Sequence, residues 1–320
     1  MSSRIRAWAQ LVRVPNTLTA CADVLAGFSI AAGDWSQWNG IAVSLVAISV
    51  ASICLYWAGM VLNDLHDVEV DRILRRKGPL VDGRISIRTA AFAGWSLLLS
   101  GVMLAWLAVW FIPENNHQGT WLVVSVSVLL AISITAYDSR LKATACGPLL
   151  MGLCRGFNLL LGVSLGSCIV WPVNWDWAVV AMAVLGHICF VMGITLAARR
   201  EGLLQQSRYR LAMSWSVSLI GGAFIAGCSL GSTHRPLRLE PHTMYPILVG
   251  LLLVPWLHRA FRSIRDPGVG TLVPAIKQAI LSIIFLDAAM TLQFAGNLPG
   301  AIVCGLAIPT LALARMFRMT

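Results

Sequence analysis

Between residues 63 and 71 the chain reads Asn63-Asp64-Leu65-His66-Asp67-Val68-Glu69-Val70-Asp71. At about 100° of rotation per helical residue, Asn63, Asp64, Asp67 and Asp71 fall within an arc of roughly 100°. Four oxygen-bearing side chains then share one helix face, and carboxylates this close repel one another unless a cation lies among them. Hard oxygen donors with one amide suit Mg²⁺, which completes its shell with water and with phosphate oxygens of a substrate. The alternative is a solvated acidic helix end balanced by Arg72, Arg75, Arg76 and Lys77. One-faced spacing and direct continuation from an apolar run favour the metal reading.

The elements that must carry this cluster follow from composition. The chain has 320 residues, of which 58% are hydrophobic and 12% charged, with a mean hydropathy of +0.76. Soluble domains carry roughly 25% charged residues, so a soluble enzyme is excluded. The net charge of +10 reads as loops facing anionic lipid rather than as a nucleic-acid surface. Apolar spans are expected near 15–32, 41–62, 90–112, 120–137, 148–166, 176–198, 211–231, 243–259, 271–293 and 297–314. Prolines 246, 255, 274 and 309 interrupt the late spans.

Basic residues orient these spans. Alternate connections, including 63–89 and both termini, hold 20 Lys or Arg, against Arg235 and Arg238 on the other side. This bias predicts cytoplasmic termini and a cytoplasmic 63–89 loop. The expected fold is therefore all-α, a polytopic membrane bundle of nine to ten transmembrane helices, with residues 1–320 forming one integral-membrane domain.

Ionisable groups inside spans are costly and mark function by default. Arg155 and Asn158 are three residues apart and share a helix face; both are candidate site residues. Asp23 and Asp287 lie mid-span and need basic partners such as Arg155 or Lys277. His66 and His187 lack a second ligand at metal spacing and are read as structural. The eight cysteines form no CxxC or Cys/His cluster, and those within spans read as small buried hydrophobes. Tyr56, Trp57, Trp95 and Phe157 are candidates to line an apolar groove.

Further stretches occur in order: Arg13-Val14-Pro15-Asn16 opening the first span, Tyr137-Asp138-Ser139-Arg140-Leu141-Lys142 after the fourth, and Arg155-Gly156-Phe157-Asn158 in the fifth. Together with Asn63-Asp64-x-x-Asp67-x-x-x-Asp71, Arg72 and Gly78-Pro79-Leu80-Val81-Asp82-Gly83-Arg84-Ile85-Ser86, they resemble the UbiA family of intramembrane prenyltransferases over most of the chain. The resemblance implies an all-helical bundle that moves a prenyl group from a prenyl diphosphate to an aromatic or other lipophilic acceptor. Mg²⁺ would neutralise the leaving diphosphate while an allylic cation forms away from water. By position, Asn63, Asp67 and Asp71 would hold the metal and Lys142 would contact the diphosphate. Asp67, Asp71 and Lys142 are thus the catalytic candidates, and Asn16, Asp64, Tyr137, Arg155 and Asn158 candidates for substrate binding.

The family's second aspartate motif is missing. Anchored on Glu201-Gly202, its metal-binding positions fall on Thr195 and Ala198, neither of which replaces a carboxylate. Gly78 also stands where the family usually has an arginine. Arg199 and Arg200 are candidates to supply the lost positive charge, since guanidinium binds phosphate oxygens bidentately. They equally suit ordinary cytoplasmic residues ending a span. Two competing functions remain open: a UbiA-like protein that binds or moves a hydrophobic precursor without chemistry, and a transporter relaying ions through Asp23, Arg155 and Asp287.

Overall fold

In hydrocarbon every backbone polar group must be satisfied within its own segment, so apolar runs of this length coil into helices. A computed structural model describes residues 3–37, 41–112, 119–170, 176–199, 207–232 and 237–317. The helices are α1 (Ser3–Leu11), α2 (Thr17–Ala32), α3 (Ile41–Ile73), α4 (Ile87–Trp110), α5 (Thr120–Asp138) and α6 (Gly147–Val170). They continue with α7 (Trp177–Ala198), α8 (Arg208–Gly227), α9 (Met244–Arg265), α10 (Val269–Ala295), α11 (Asn297–Gly305) and α12 (Ala307–Met316). Among the described residues no strand occurs. Among the described residues ten segments are long and apolar enough to cross a membrane, α2 to α10 and the α11–α12 pair, matching the ten expected.

Prolines act according to their place in the turn. Pro255 and Pro274 are accommodated inside α9 and α10. The tenth span breaks at Leu306, and Pro309 falls in the first turn of α12, where its missing N–H costs nothing.

Two features position the site. The first is the packing of α2 on α6, in which backbones touch: a Cβ on Gly27 would run into the Leu159 carbonyl, and one on Gly162 into that of Val24. Glycine is required because nothing larger lets helices approach so closely. The second is the length of α3. Its 33 residues span about 50 Å at 1.5 Å per residue, against roughly 30 Å of hydrocarbon. Residues 63–73, counted with the 63–89 loop, are helical as the one-faced spacing of the acids requires, and prolong α3 past the apolar region. Only residues 74–86 form the non-helical link to α4.

The expected spans begin at residue 15, so α1 is an additional element. Its Ala7 and Leu11 are buried with Val61 and Val68 of α3 and with Leu80 and Ile85 of the link. Arg84 donates to Gln10 Oε1 at 2.9 Å. This short helix therefore covers the end of α3 and fastens the 74–86 link over it. Between α1 and α2, Arg13 adopts a left-handed backbone conformation with φ of 51°, unusual for a non-glycine residue and frequent at functional sites.

Candidate functional site

The acidic face of α3 meets a basic residue from each surrounding segment. Arg13 pairs with Asp64 at 3.4 Å, and Arg76 with Asp71 at 3.2 Å. Lys142 Nζ donates to Asn63 Oδ1 at 3.1 Å and also to Asp67 Oδ2. Lys142 reaches them from a single 3₁₀ turn over Arg140–Ala143 that follows α5, opened by the Ser139 hydroxyl accepting from Leu141 N. One ammonium is thus already seated between the Asn63 and Asp67 oxygens, so these donors fit a small hard cation, with Asp71 one turn further on. The sequence places Arg13 in the stretch opening the first span without assigning it a role; its left-handed turn aims it at Asp64.

An apolar cavity of about 90 Å³ opens beside this face between α2, α3, α5 and α6. Leu55, Leu130, Ile134 and Met151 line its walls, and Tyr56, Tyr137, Asp138, Arg155 and Asn158 supply its polar groups. Of the aromatic candidates, Tyr56 lines the cavity, and Trp57 Nε1 donates to Thr17 Oγ1 at 2.9 Å. Trp95 is exposed, and Phe157 is partly buried against the core. Asn16 lies at the start of α2, its carbonyl accepting from the Thr19 hydroxyl at 2.7 Å.

Behind the cavity wall runs a buried polar network. Arg155 donates to Asp23 Oδ2 and to Thr19 Oγ1. The Asn158 amide donates to the same carboxylate at 2.9 Å and to the Ala20 carbonyl at 2.8 Å, while its oxygen accepts from Ser52 at 2.7 Å. Asp23 accordingly takes Arg155 as its partner, one of the two basic residues expected. Asp287 instead pairs with His187 Nε2 at 2.9 Å. The His187 Nδ1 faces the Ala183 carbonyl at 2.9 Å; since that carbonyl can only accept, Nδ1 carries a hydrogen, and the 2.9 Å contact between Nε2 and the Asp287 carboxylate holds a second proton between them.

At the end of α7 the Thr195 hydroxyl donates to its own helix at Val191 O, 2.9 Å away, and Ala198 carries no polar group. No carboxylate among the described residues occupies those positions. Arg199 instead folds back toward the Lys142 turn: a Cβ on Gly147 would collide with its guanidinium and crowd the Lys142 backbone. The structure therefore brings Arg199 into the basic rim around the site. Arg200 and Glu201 lie outside the described residues.

The family model for UbiA prenyltransferases matches residues 21–266. The chain belongs to the UbiA prenyltransferase family. Its curated relatives include a digeranylgeranylglyceryl phosphate synthase from Sulfurisphaera tokodaii, 25% identical over 158 residues, covering 49% of this chain and 52% of that protein. The corresponding synthase of Methanococcus aeolicus is 30% identical over 106 residues, covering 33% and 37%. The chain spans about half the length of the first of these relatives and less of the second. A UbiA homologue from Archaeoglobus fulgidus bound to GPP and Mg²⁺ shares the fold at a TM-score of 0.59 and 16% identity, covering 89% of this chain and 99% of that one. An apo UbiA homologue from Aeropyrum pernix aligns at a TM-score of 0.61 and 15% identity, covering 87% and 97%. This UbiA-family chain is a multi-pass integral membrane protein.

Proposed function

We propose that the chain is a Mg²⁺-dependent transferase that moves a prenyl group from a prenyl diphosphate to a lipophilic acceptor at the cytoplasmic membrane surface. The observation that carries this reading is Lys142, held between Asn63 and Asp67 on the same helix, one turn beyond Gly59 and Met60, which line an apolar cavity. Asn63, Asp67 and Asp71 are the residues that would hold the metal, which when bound supplies positive charge against the leaving diphosphate. Lys142 and Arg199 would bind phosphate oxygens, with Asp64 and Arg13 setting the orientation of α3 beside them. Leu55, Leu130, Ile134 and Met151 exclude water from the allylic end, where a cation would otherwise be quenched. Arg155 presents its charge to the cavity while Asp23, Thr19 and Asn158 fix its position.

Turnover tests this in nanodiscs holding the full chain, with radiolabelled geranyl, farnesyl and geranylgeranyl diphosphate. A glyceryl phosphate prenyl monoether and a hydrophobic phenol serve as acceptors. Mg²⁺-dependent diphosphate release that disappears in Asp67→Asn is the expected result. Binding without release, or turnover indifferent to both Mg²⁺ and the substitution, sinks the catalytic reading. The second reading, a UbiA-like protein that binds or transports a hydrophobic precursor, draws its support from the spent Thr195 hydroxyl and the apolar Ala198. It predicts that Asp67→Asn leaves function intact.

A further inference from the structure

The carboxylates around the site are almost all engaged by a donor: Asp64 by Arg13, Asp67 by Lys142, Asp71 by Arg76, and Asp23 by Arg155 and Asn158. Asp138 differs. It is the last residue of α5, only 2% exposed, and lines the apolar cavity, yet its Oδ2 has no hydrogen-bond partner among the described residues. Lys142 lies four residues on, but its ammonium is turned to Asp67 and Asn63. Position adds to the isolation, because the C-terminal end of a helix carries partial negative charge and disfavours an anion there. Leaving a carboxylate oxygen buried without a donor costs stability, and the charges of Lys142 and Arg13 act on Asp138 only from a distance, without a hydrogen bond to Oδ2. Such a group, facing the space where a substrate would lie, suits proton chemistry.

We infer that Asp138 is the general base of the transfer reaction, accepting the proton of a hydroxyl-bearing acceptor seated in the cavity. This rests on the transferase reading above. As the allylic C–O bond breaks, its electron pair leaves with the diphosphate. A lone pair of the acceptor oxygen forms the new C–O bond to the allylic carbon. The O–H electron pair stays on that oxygen and its proton passes to the Asp138 carboxylate, which loses it to water once the product has gone. The division of labour is that the α3 face and Lys142 drive departure of the diphosphate, whereas Asp138 acts only when an acceptor captures the cation.

That division supplies a readout a structural role would not move. When capture fails, water takes the cation and gives the free prenyl alcohol. In nanodiscs, Asp138→Asn is expected to lose transfer to the acceptor far more than Mg²⁺-dependent diphosphate release. Its ratio of prenylated acceptor to prenyl alcohol should fall about 100-fold, the scale of a lost general base. Asp138→Glu, which keeps the carboxylate, should restore most of that ratio. An unchanged ratio in Asp138→Asn overturns the assignment, as does a loss of release and transfer in equal proportion, which would mark Asp138 as part of the diphosphate site or of the fold. Parent chain that transfers to neither acceptor removes the transferase reading and this inference together. Parent chain that transfers while Asp138→Asn does so at the same ratio removes the inference alone.

Discussion

Replacing Asn158 by alanine removes three hydrogen bonds that tie α6 to α2 and α3: two donated by the amide, to the Ala20 carbonyl and to Asp23, and one accepted from Ser52. Interhelical hydrogen bonds within membranes average about 0.6 kcal/mol and reach about 1.7 kcal/mol. Taking the lower figure for the two neutral bonds and the upper for the one to a carboxylate gives a loss of about 3 kcal/mol. The void adds little because Asn158 already borders the cavity. A loss of that size lowers the folding equilibrium constant roughly 100-fold. Unfolding of Asn158→Ala by SDS titration in lipid–detergent micelles, followed by tryptophan fluorescence, measures it. Prenyl diphosphate affinity of the folded protein is expected to change less than about threefold, since every polar atom of the amide is already engaged by protein. Stability within about 0.5 kcal/mol of the parent chain, accompanied by a large drop in diphosphate affinity, would refute this reasoning and return Asn158 to the substrate-binding role its position in the sequence suggested.

Gly162→Ala places a methyl group against the Val24 carbonyl and should destabilise the protein by about 1–3 kcal/mol or more, read as a fall in SDS midpoint; an unaltered midpoint would mean that α2 and α6 separate freely. Hydrogen bonds from the Ser36 backbone and hydroxyl, and then the charge of Arg238, hold the Asp34 carboxyl below its ordinary range. A carboxyl depressed in the folded state stabilises it above the unfolded-state value and loses that contribution as pH falls through the folded one. Melting measured from pH 6 to pH 3 should therefore decline less steeply in Asp34→Asn, with a small difference because the pair is exposed. Exposed Cys146 sits between the Lys142 turn and α6. With the other cysteines replaced, an impermeant maleimide should label it in inside-out vesicles and not in right-side-out ones; the reverse pattern would invert the orientation.

The parts of the fold and site legible in the sequence are those encoded in consecutive residues. Apolar runs gave ten spans because hydrocarbon admits no other secondary structure for them, and the one-faced acids on α3 were visible because helical period is a local property. Asp287 shows the opposite case. Its partner His187 lies 100 residues away, and no spacing rule connects two residues that only the packing of α7 on α10 brings together. The Ser52 contact to Asn158 spans 106 residues in the same way. Asp138 stood in plain view beside Tyr137, but what distinguishes it is the lack of a donor, and that depends on where Lys142 turns. The contact of Arg13 with Asp64 was hidden for a different reason, a left-handed backbone angle at a residue with no glycine to announce it.

The extra length of α3 has a kinetic consequence. Its acidic end stands clear of the hydrocarbon while the cavity beneath it stays within. A ligand with a charged head and a greasy tail, lying in the leaflet, already spans that same boundary. For such a ligand the governing concentration is its mole fraction among the lipids, so dilution with inert phospholipid at fixed bulk concentration lowers the occupancy of the site as effectively as removing substrate.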